Sequence, residues 1–356
     1  MRKVRTKLAS NAYCCNTGNP WLHSQVNMHR ASPNQAGHTS VICAVTVHNR
    51  LDKEDKVVCK LVSRKTMLND EELQLAYRRE TIAYQNILPA LGVSFMAAKF
   101  FASSSGLIIL QDLVDEGFSS PDRVAGLSSK QMDLAIKGLA DLHAGSLILR
   151  DGKPKEWESM TAQLKGTWQD VGQFSSWLET SIMTAIEELD ELGEEKISKM
   201  LSSSSAVPLD CSNDSFWVIC HGDYWSNNLM FRNEDTLRII DFQNMCCGPI
   251  YKDLLNLLST SLRIGDDVHT YCATYYQRLI VGIDKLFRFP SYSEFMEHLR
   301  EGLDYGFRMG LLYLGGRVLP TDGLDEIDSS VKCNQFPGYR EHLLHLIDIY
   351  KVLGLF

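Results

Sequence analysis

Hydrophobic positions bunch into short alternating or β-branched runs over the first third of the chain, then fall at helical spacing over most of the rest. Val26 and Met28 alternate with polar neighbours between Gln25 and Arg30, the period of a short strand. The runs Val41–Val47 and Val57–Val62 predict two more strands, separated by the charged turn Asn49–Lys56. Between the first and second lies a small, polar loop, Ala31–Ser40, with a single glycine, Gly37. These pieces predict a three-stranded antiparallel meander. Leu73, Ala76, Tyr77, Glu80, Tyr84 and Ile87 then predict a helix from Asn69 to about Leu88. Asn69 or Asp70 can cap it, acidic Glu71 and Glu72 suit its first turn, and Pro89 ends it. Ala97–Phe101 and Leu107–Leu110 read as two further strands.

Past Gln111-Asp112-Leu113 the pattern turns helical, and the domain boundary is placed there. Ser128 or Ser129 caps a helix with Met132, Ala135, Leu139 and Leu142 at core positions, ending near His143-Ala144-Gly145. Gln173–Leu201 carries a longer helical pattern. Four more helices are expected at Tyr251–Leu262, Asp267–Leu286, Ser291–Leu314 and Tyr339–Leu353. Inside this helical half sits a small β-structure: a strand Phe216–Ile219, then a hairpin of Leu229–Phe231 and Leu237–Ile240 around the turn Arg232–Asp235. The expected class is α+β and bilobal: residues 1–22 a loose arm, 23–111 a β-rich lobe with one main helix, and 112–356 a larger, mostly helical lobe.

A length of 356 residues accommodates two such units with proper cores. The net charge of −8 argues against a broad basic field for nucleic acid, and no apolar run approaches the length of a membrane span. Ten cysteines are scattered without any C-x-x-C, including the adjacent pairs Cys14-Cys15 and Cys246-Cys247. That usage fits reduced thiols in a cytoplasmic protein better than a disulfide framework or a zinc site. The start of the chain is basic, with Arg2, Lys3, Arg5 and Lys7 ahead of the first acidic residue, Asp52. A transit peptide shares that bias.

The chemistry concentrates between Phe216 and Asp253. The first strand delivers His221-Gly222-Asp223 onto a loop, Asn228 follows five residues after Asp223, and the hairpin's second strand ends at Asp241. Two carboxylates and an amide at one end of a β-structure suit a hard cation such as Mg²⁺, and a carboxylate off the metal can act as base toward a hydroxyl. The same residue types also favour plain solvated turns. Upstream, Lys60 stands mid-strand among apolar neighbours, an awkward place for a charge without a partner, and Glu80 on the following helix can supply one. Phosphoryl transfer needs such parts: a lysine on the phosphates, an acid holding it, metal ligands and a residue orienting the hydroxyl.

The wording CHGDYWSNNLMF, IIDFQ and GPIYKDLLNLL resembles the ecdysteroid-kinase-like family, within the superfamily of choline kinases and aminoglycoside phosphotransferases. CKLV at Lys60, RRETIAYQNILPAL around Glu80, IILQDL ending at Leu113 and LADLHAGSL at His143 extend it over roughly residues 30–315. The resemblance implies a protein-kinase-like fold and an ATP- and Mg-dependent small-molecule kinase, its acceptor a hydroxylated small molecule such as an ecdysteroid or another sterol-like alcohol. It implies that Asp223 is the catalytic base, that Asn228 and Asp241 bind Mg²⁺, and that Lys60 contacts the phosphates while held by Glu80. Adenine would meet the backbone between Leu110 and Leu113, with Gln111 where the family more often has Glu. His221 reads as a scaffold of the loop, and Asp253 as an anchor of the next helix, outside the site. About ten residues separate Asp241 from the helix at Tyr251, too few for the segment on which protein kinases dock peptides, so a small acceptor is expected. Tyr224 and Trp225 can wall an apolar acceptor or simply pack. His342 and His345, at i and i+3, read as surface or packing residues. Two alternatives stay open: a catalytically silent nucleotide- or ligand-binding pseudokinase, suggested by the glycine-poor turn, and a choline- or aminoglycoside-type kinase.

Overall fold

The computed structural model describes residues 25–30, 40–48, 54–62, 69–164, 172–203, 215–283, 289–318 and 333–356. The expected arm, residues 1–22, and the turn containing Gly37 lie outside them. Strands β1 (Gln25–Arg30), β2 (Ser40–His48) and β3 (Glu54–Val62) form the predicted meander. Strands β4 (Phe100–Ser104) and β5 (Leu107–Gln111) complete an antiparallel five-stranded sheet of order β1-β2-β3-β5-β4. The sheet has two apolar faces. Val45, Val57, Cys59, Leu107 and Ile109 cluster on one. Ile108 and Leu110 join the main core on the other. Lys60 is paired in register with Ile108, so its side chain leaves the sheet on that main-core face.

Helix α1 (Asp70–Ile82) crosses that face between β3 and β4. Asn69 caps it in a reciprocal capping box with Glu72, as the sequence expects. Pro89 does not end it: the chain passes through a π-turn, Ala83–Ile87, and a final turn, Leu88–Ala90, with the proline at the start of that turn, where a missing N–H costs little.

The remainder is mostly helical. Helix α2 (Ser129–Gly152) is capped by Ser128 and runs a full turn and more beyond the predicted end at Gly145, because its small residues are buried against neighbours rather than breaking it. Helix α3 (Pro154–Thr161) was not predicted, since a proline opens it and no residue in it is fully buried. The long pattern after Gln173 divides into α4 (Gly172–Leu192) and α5 (Glu195–Ser203). Then come β6 (Trp217–Cys220), the hairpin β7 (Leu229–Arg232) and β8 (Thr236–Ile239), and β9 (Cys246–Pro249), an unpredicted strand antiparallel to β6. Helices α6 (Tyr251–Ser261), α7 (Val268–Ile283), α8 (Tyr292–Glu301), α9 (Leu303–Val318) and α10 (Tyr339–Leu353) complete the chain. The single helix expected over Ser291–Leu314 is therefore two. It breaks at Gly302, where a Cβ would sit 2.4 Å from the ring of Tyr251. Among the described residues no helix is long and apolar enough to cross a membrane.

Candidate active site

The loop after β6 is held by a residue from α6. Asp253 accepts the backbone N–H of His221 at 2.6 Å through Oδ2 and that of Gly222 at 2.9 Å through Oδ1. His143 of α2 donates from Nε2 to the same Oδ2 at 3.2 Å, while Tyr275 of α7 lies 2.6 Å from its Nδ1. Burial alone would raise the Asp253 pKa, but the hydrogen bonds from His143 and the Gly222 N–H outweigh it and hold the carboxyl below its usual range. Asp253 thus anchors the loop carrying Asp223, in addition to opening its own helix. No local sequence signal reveals this, because the partners are 31 and 32 residues apart.

Gly222 has φ +81°, and a Cβ there would stand 2.0 Å from the carbonyl oxygen of Asn244. The imidazole of His221 is buried and donates from Nε2 to the carbonyl of Ile240 at 3.0 Å, while the N–H of Asp223 points to Nδ1 at 3.3 Å. A carbonyl can only accept and an N–H can only donate, so the ring is the neutral Nε2–H tautomer. Burial lowers its pKa accordingly. His221 ties the loop to the end of β8, the scaffold role expected of it.

Asp223 keeps part of its surface open. Its backbone carbonyl and its Oδ2 each accept from Asn228 Nδ2 at 2.8 Å. Its Oδ1 accepts the phenolic O–H of Tyr313, from α9. Burial pushes the Asp223 pKa up to about 7, aided by the Asp241 charge and opposed by the Tyr313 hydrogen bond. Nothing in the sequence pointed to Tyr313, which lies 90 residues further on within an ordinary helical pattern.

Asp241 follows β8 in the left-handed region, φ 65°. Its Oδ1 lies 2.7 Å from Lys60 Nζ, and Glu80 Oε2 lies 2.7 Å from the same nitrogen. Burial would lower the Lys60 pKa, but the two carboxylates outweigh it and raise it, so the ammonium stays protonated. The expected Lys60–Glu80 pair is present, and Asp241 joins it. Gln243 Nε2 approaches Asp241 Oδ2 at 3.4 Å. Because Asn228 commits Nδ2 to Asp223, its amide oxygen is left as an acceptor. That oxygen and the Asp241 carboxylate make an all-oxygen donor set, the chemistry a hard divalent cation prefers.

At the end of β5, the Gln111 N–H donates to the carbonyl of Lys99 at 2.9 Å and its side-chain oxygen accepts from the Lys99 N–H at 3.0 Å. The carbonyl of Leu113 accepts from the Phe118 N–H at 2.9 Å. The aromatic pair beside the base divides: Tyr224 is fully buried and donates to the carbonyl of Ala135 at 2.8 Å, so it packs rather than walls an acceptor. Trp225 remains half-buried, its ring 4.9 Å from that of Tyr313. His342 and His345 are buried on α10, as packing residues, and neither belongs to a cluster of ligand side chains among the described residues. His143, Cys220 and Asp253 bring ligand atoms within 4.8 Å of one another. The hydrogen bonds just described already engage His143 and Asp253, and Cys220 Sγ points to the Pro249 carbonyl at 3.6 Å, so this is an internal network.

The model of the ecdysteroid kinase-like family matches residues 34–286. The chain belongs to the ecdysteroid kinase-like family. In this family member every candidate residue from Lys60 to Asp253 falls within the matched span. No curated protein gives a significant match. Among solved structures, a choline kinase from Cryptosporidium parvum Iowa II superposes with TM-score 0.56 at 11% identity, covering 99% of this chain and 96% of that one. A choline kinase from Streptococcus pneumoniae follows at TM-score 0.46 and 12% identity, over 99% and 98%. A spectinomycin phosphotransferase, solved with ADP and spectinomycin, gives TM-score 0.48 at 13% identity, over 92% of each chain. At such identities the first of these speaks to the fold: a kinase-like fold with a small antiparallel sheet region and a mostly helical remainder.

Proposed function

We propose that this family member is an ATP- and Mg-dependent phosphotransferase that moves the terminal phosphate to a hydroxyl of a small molecule, with an ecdysteroid or other sterol-like alcohol as the acceptor class. The observation that carries the reading is the ammonium of Lys60 at 2.7 Å from both Glu80 and Asp241. A part-buried lysine held by an acid on α1, next to the carboxylate proposed for the metal, is the pairing that phosphoryl transfer uses. When bound, Mg·ATP supplies the transferable phosphoryl group and neutralises its charge.

Lys60 binds the phosphates and Glu80 keeps the ammonium aimed at them. Asn228 Oδ1 and the Asp241 carboxylate hold the cation. Asp223 orients the acceptor hydroxyl and accepts its proton, and a carboxyl pushed up to about 7 is matched to that task near neutral pH. In this reading adenine meets the backbone between Leu110 and Leu113, at groups other than the Gln111 N–H and the Leu113 carbonyl, which are engaged within the protein. In this reading residues 23–111 form the nucleotide-binding lobe and 112–356 the catalytic and acceptor-binding lobe. The free thiols of the described cysteines suit a reducing, cytoplasmic setting.

The test is ADP release from Mg·ATP with a panel of hydroxylated steroids, choline and aminoglycosides, for the wild type and Asp223→Asn. Acceptor-dependent turnover that the substitution abolishes supports the reading. A protein that binds Mg·ATP yet releases no ADP with any acceptor would instead be the silent binding module.

A further inference from the structure

The phenol of Tyr313 donates to Oδ1 of Asp223, whose other oxygen is taken by Asn228. A carboxylate acting as base toward an alcohol must receive that alcohol's O–H on one of its oxygens. The described residues leave one oxygen with an exchangeable partner, and that partner is itself an alcohol-like O–H. Burial and the neighbouring Asp223 carboxylate keep the phenol protonated, so it remains a donor.

Tyr313 is built to leave as well as to hold. It is half-buried, its ring leans edge-on against half-buried Trp225, and it borders a small cavity shared with Ser259, Thr260, Arg317 and His342. Its ring is therefore not packed on every side, unlike that of Tyr224, which is fully buried in the core. Nδ1 of His342 has no hydrogen-bond partner among the described residues, which gives the cavity a polar wall.

We infer that the Tyr313 hydroxyl occupies the acceptor hydroxyl's place on Asp223, so that the acceptor binds by displacing it along the Trp225 side. Tyr313 is in this view a positioning residue with two consequences. It bars water from the base until an acceptor arrives, and it selects acceptors able to replace its hydrogen bond while stacking on Trp225: alcohols carried on a flat, apolar body. An acceptor oxygen forms a bond to the terminal phosphorus of ATP, the terminal phosphoanhydride bond breaks to release ADP, and the hydroxyl proton passes to Asp223. With water in place of the acceptor, the products are ADP and inorganic phosphate.

This inference rests on the proposed phosphotransferase activity, and the experiment separates the two. ADP release from Mg·ATP without acceptor is compared between the full-length wild type and Tyr313→Phe, with Tyr313→Leu as a second variant and thermal midpoints as the folding control. Removing one hydrogen bond to a charged group should raise acceptor-free ADP release by roughly tenfold or more. For an acceptor that the wild type uses, KM should fall while kcat is retained. Unchanged or lower acceptor-free release in the folded variants overturns the inference. A second readout needs no turnover: in protein labelled with ¹³C at tyrosine Cζ, the resonance lost in Tyr313→Phe should shift in Asp223→Asn. A resonance that does not move overturns the contact itself. Should no acceptor be phosphorylated while the variants still release more ADP, the acceptor assignment fails and the Tyr313 inference stands.

Discussion

Lys60 Nζ lies 2.7 Å from Asp241 Oδ1, although the two residues are 181 positions apart along the chain. The contact fastens the central strand of the five-stranded sheet to the end of the β7–β8 hairpin, across the space where the candidate site lies. Glu80 shares the same ammonium, so one cation satisfies two acids of which Glu80 is almost wholly buried.

Replacing that cation has a structural and a chemical result. Lys60→Met leaves Glu80 and Asp241 facing each other without a counter-charge, a change expected to cost about 3 kcal/mol or more of folding stability. Urea unfolding measures it. ADP release per folded molecule should fall by roughly 10²-fold or more, as when a preorganised electrostatic partner is removed. A stable, fully active Lys60→Met protein would contradict both.

Asp253 holds the loop, and its loss should be felt first as instability. Asp253→Asn can accept only through its single amide oxygen, and it places an NH₂ against the donor groups of the loop backbone. We expect a loss of about 2–3 kcal/mol, since hydrogen bonds to a buried charge are the strong ones. The comparison is Asp223→Asn, which should cost far less because Asp223 is partly open and its burial already disfavours the charge. Denaturation curves of the two variants measured side by side decide the order.

Gly222→Ala tests the loop's backbone. The new methyl would stand 2.0 Å from a carbonyl oxygen at a residue with φ +81°. Both the clash and the left-handed backbone disfavour it, and about 2 kcal/mol or more should be lost, with acceptor phosphorylation falling in step. Stability within error of wild type would show that the loop can repack.

Metal dependence should separate Asp241 from Asp223. Chelation of divalent cations should abolish ADP formation. Asp241→Asn should raise the Mg²⁺ concentration needed for half-maximal rate, because one hard anionic oxygen is lost. Asp223→Asn should lower the rate without moving that midpoint. Equal midpoints in all three proteins would remove Asp241 from the cation site.

Stability should fall on mild acidification through His342. Burial, with the charges of Arg317 and His345 beside it, lowers its pKa from 6.5 to about 4. The folded state therefore binds fewer protons than the unfolded one between those values. Its contribution is complete above the unfolded pKa and declines as pH drops from 6.5 towards 4, by about 1–2 kcal/mol at pH 5. His342→Gln should flatten that slope in unfolding curves taken from pH 7 to pH 5. An unchanged slope would show that the ring is protonated without penalty.

Much of this protein is legible in its sequence. The sheet, the capped helix carrying Glu80, the hairpin ending at Asp241 and the last helix over Tyr339–Leu353 all follow from the period of apolar residues and from caps and turns, which act over a few neighbours. The set Lys60, Glu80, Asp223, Asn228 and Asp241 stands out instead through the resemblance of the surrounding wording to the family, while periodicity places each residue on or beside its strand or helix. Helix breaks and joins were less legible. Gly302 interrupts a helix because a ring from Tyr251 lies over it, while Gly145 leaves α2 intact, and nothing within either segment distinguishes the two glycines.

What only the tertiary structure decided is which polar groups meet. The bonds from Lys60 to Asp241, Tyr313 to Asp223, and Asp253 to the loop backbone span 181, 90 and at least 31 residues. Periodicity carries no information at such separations, because it records which face of an element is buried and not what lies opposite. The partner of a buried charge is set by packing the two regions together, and there the requirement that every buried polar group be satisfied selects the contacts.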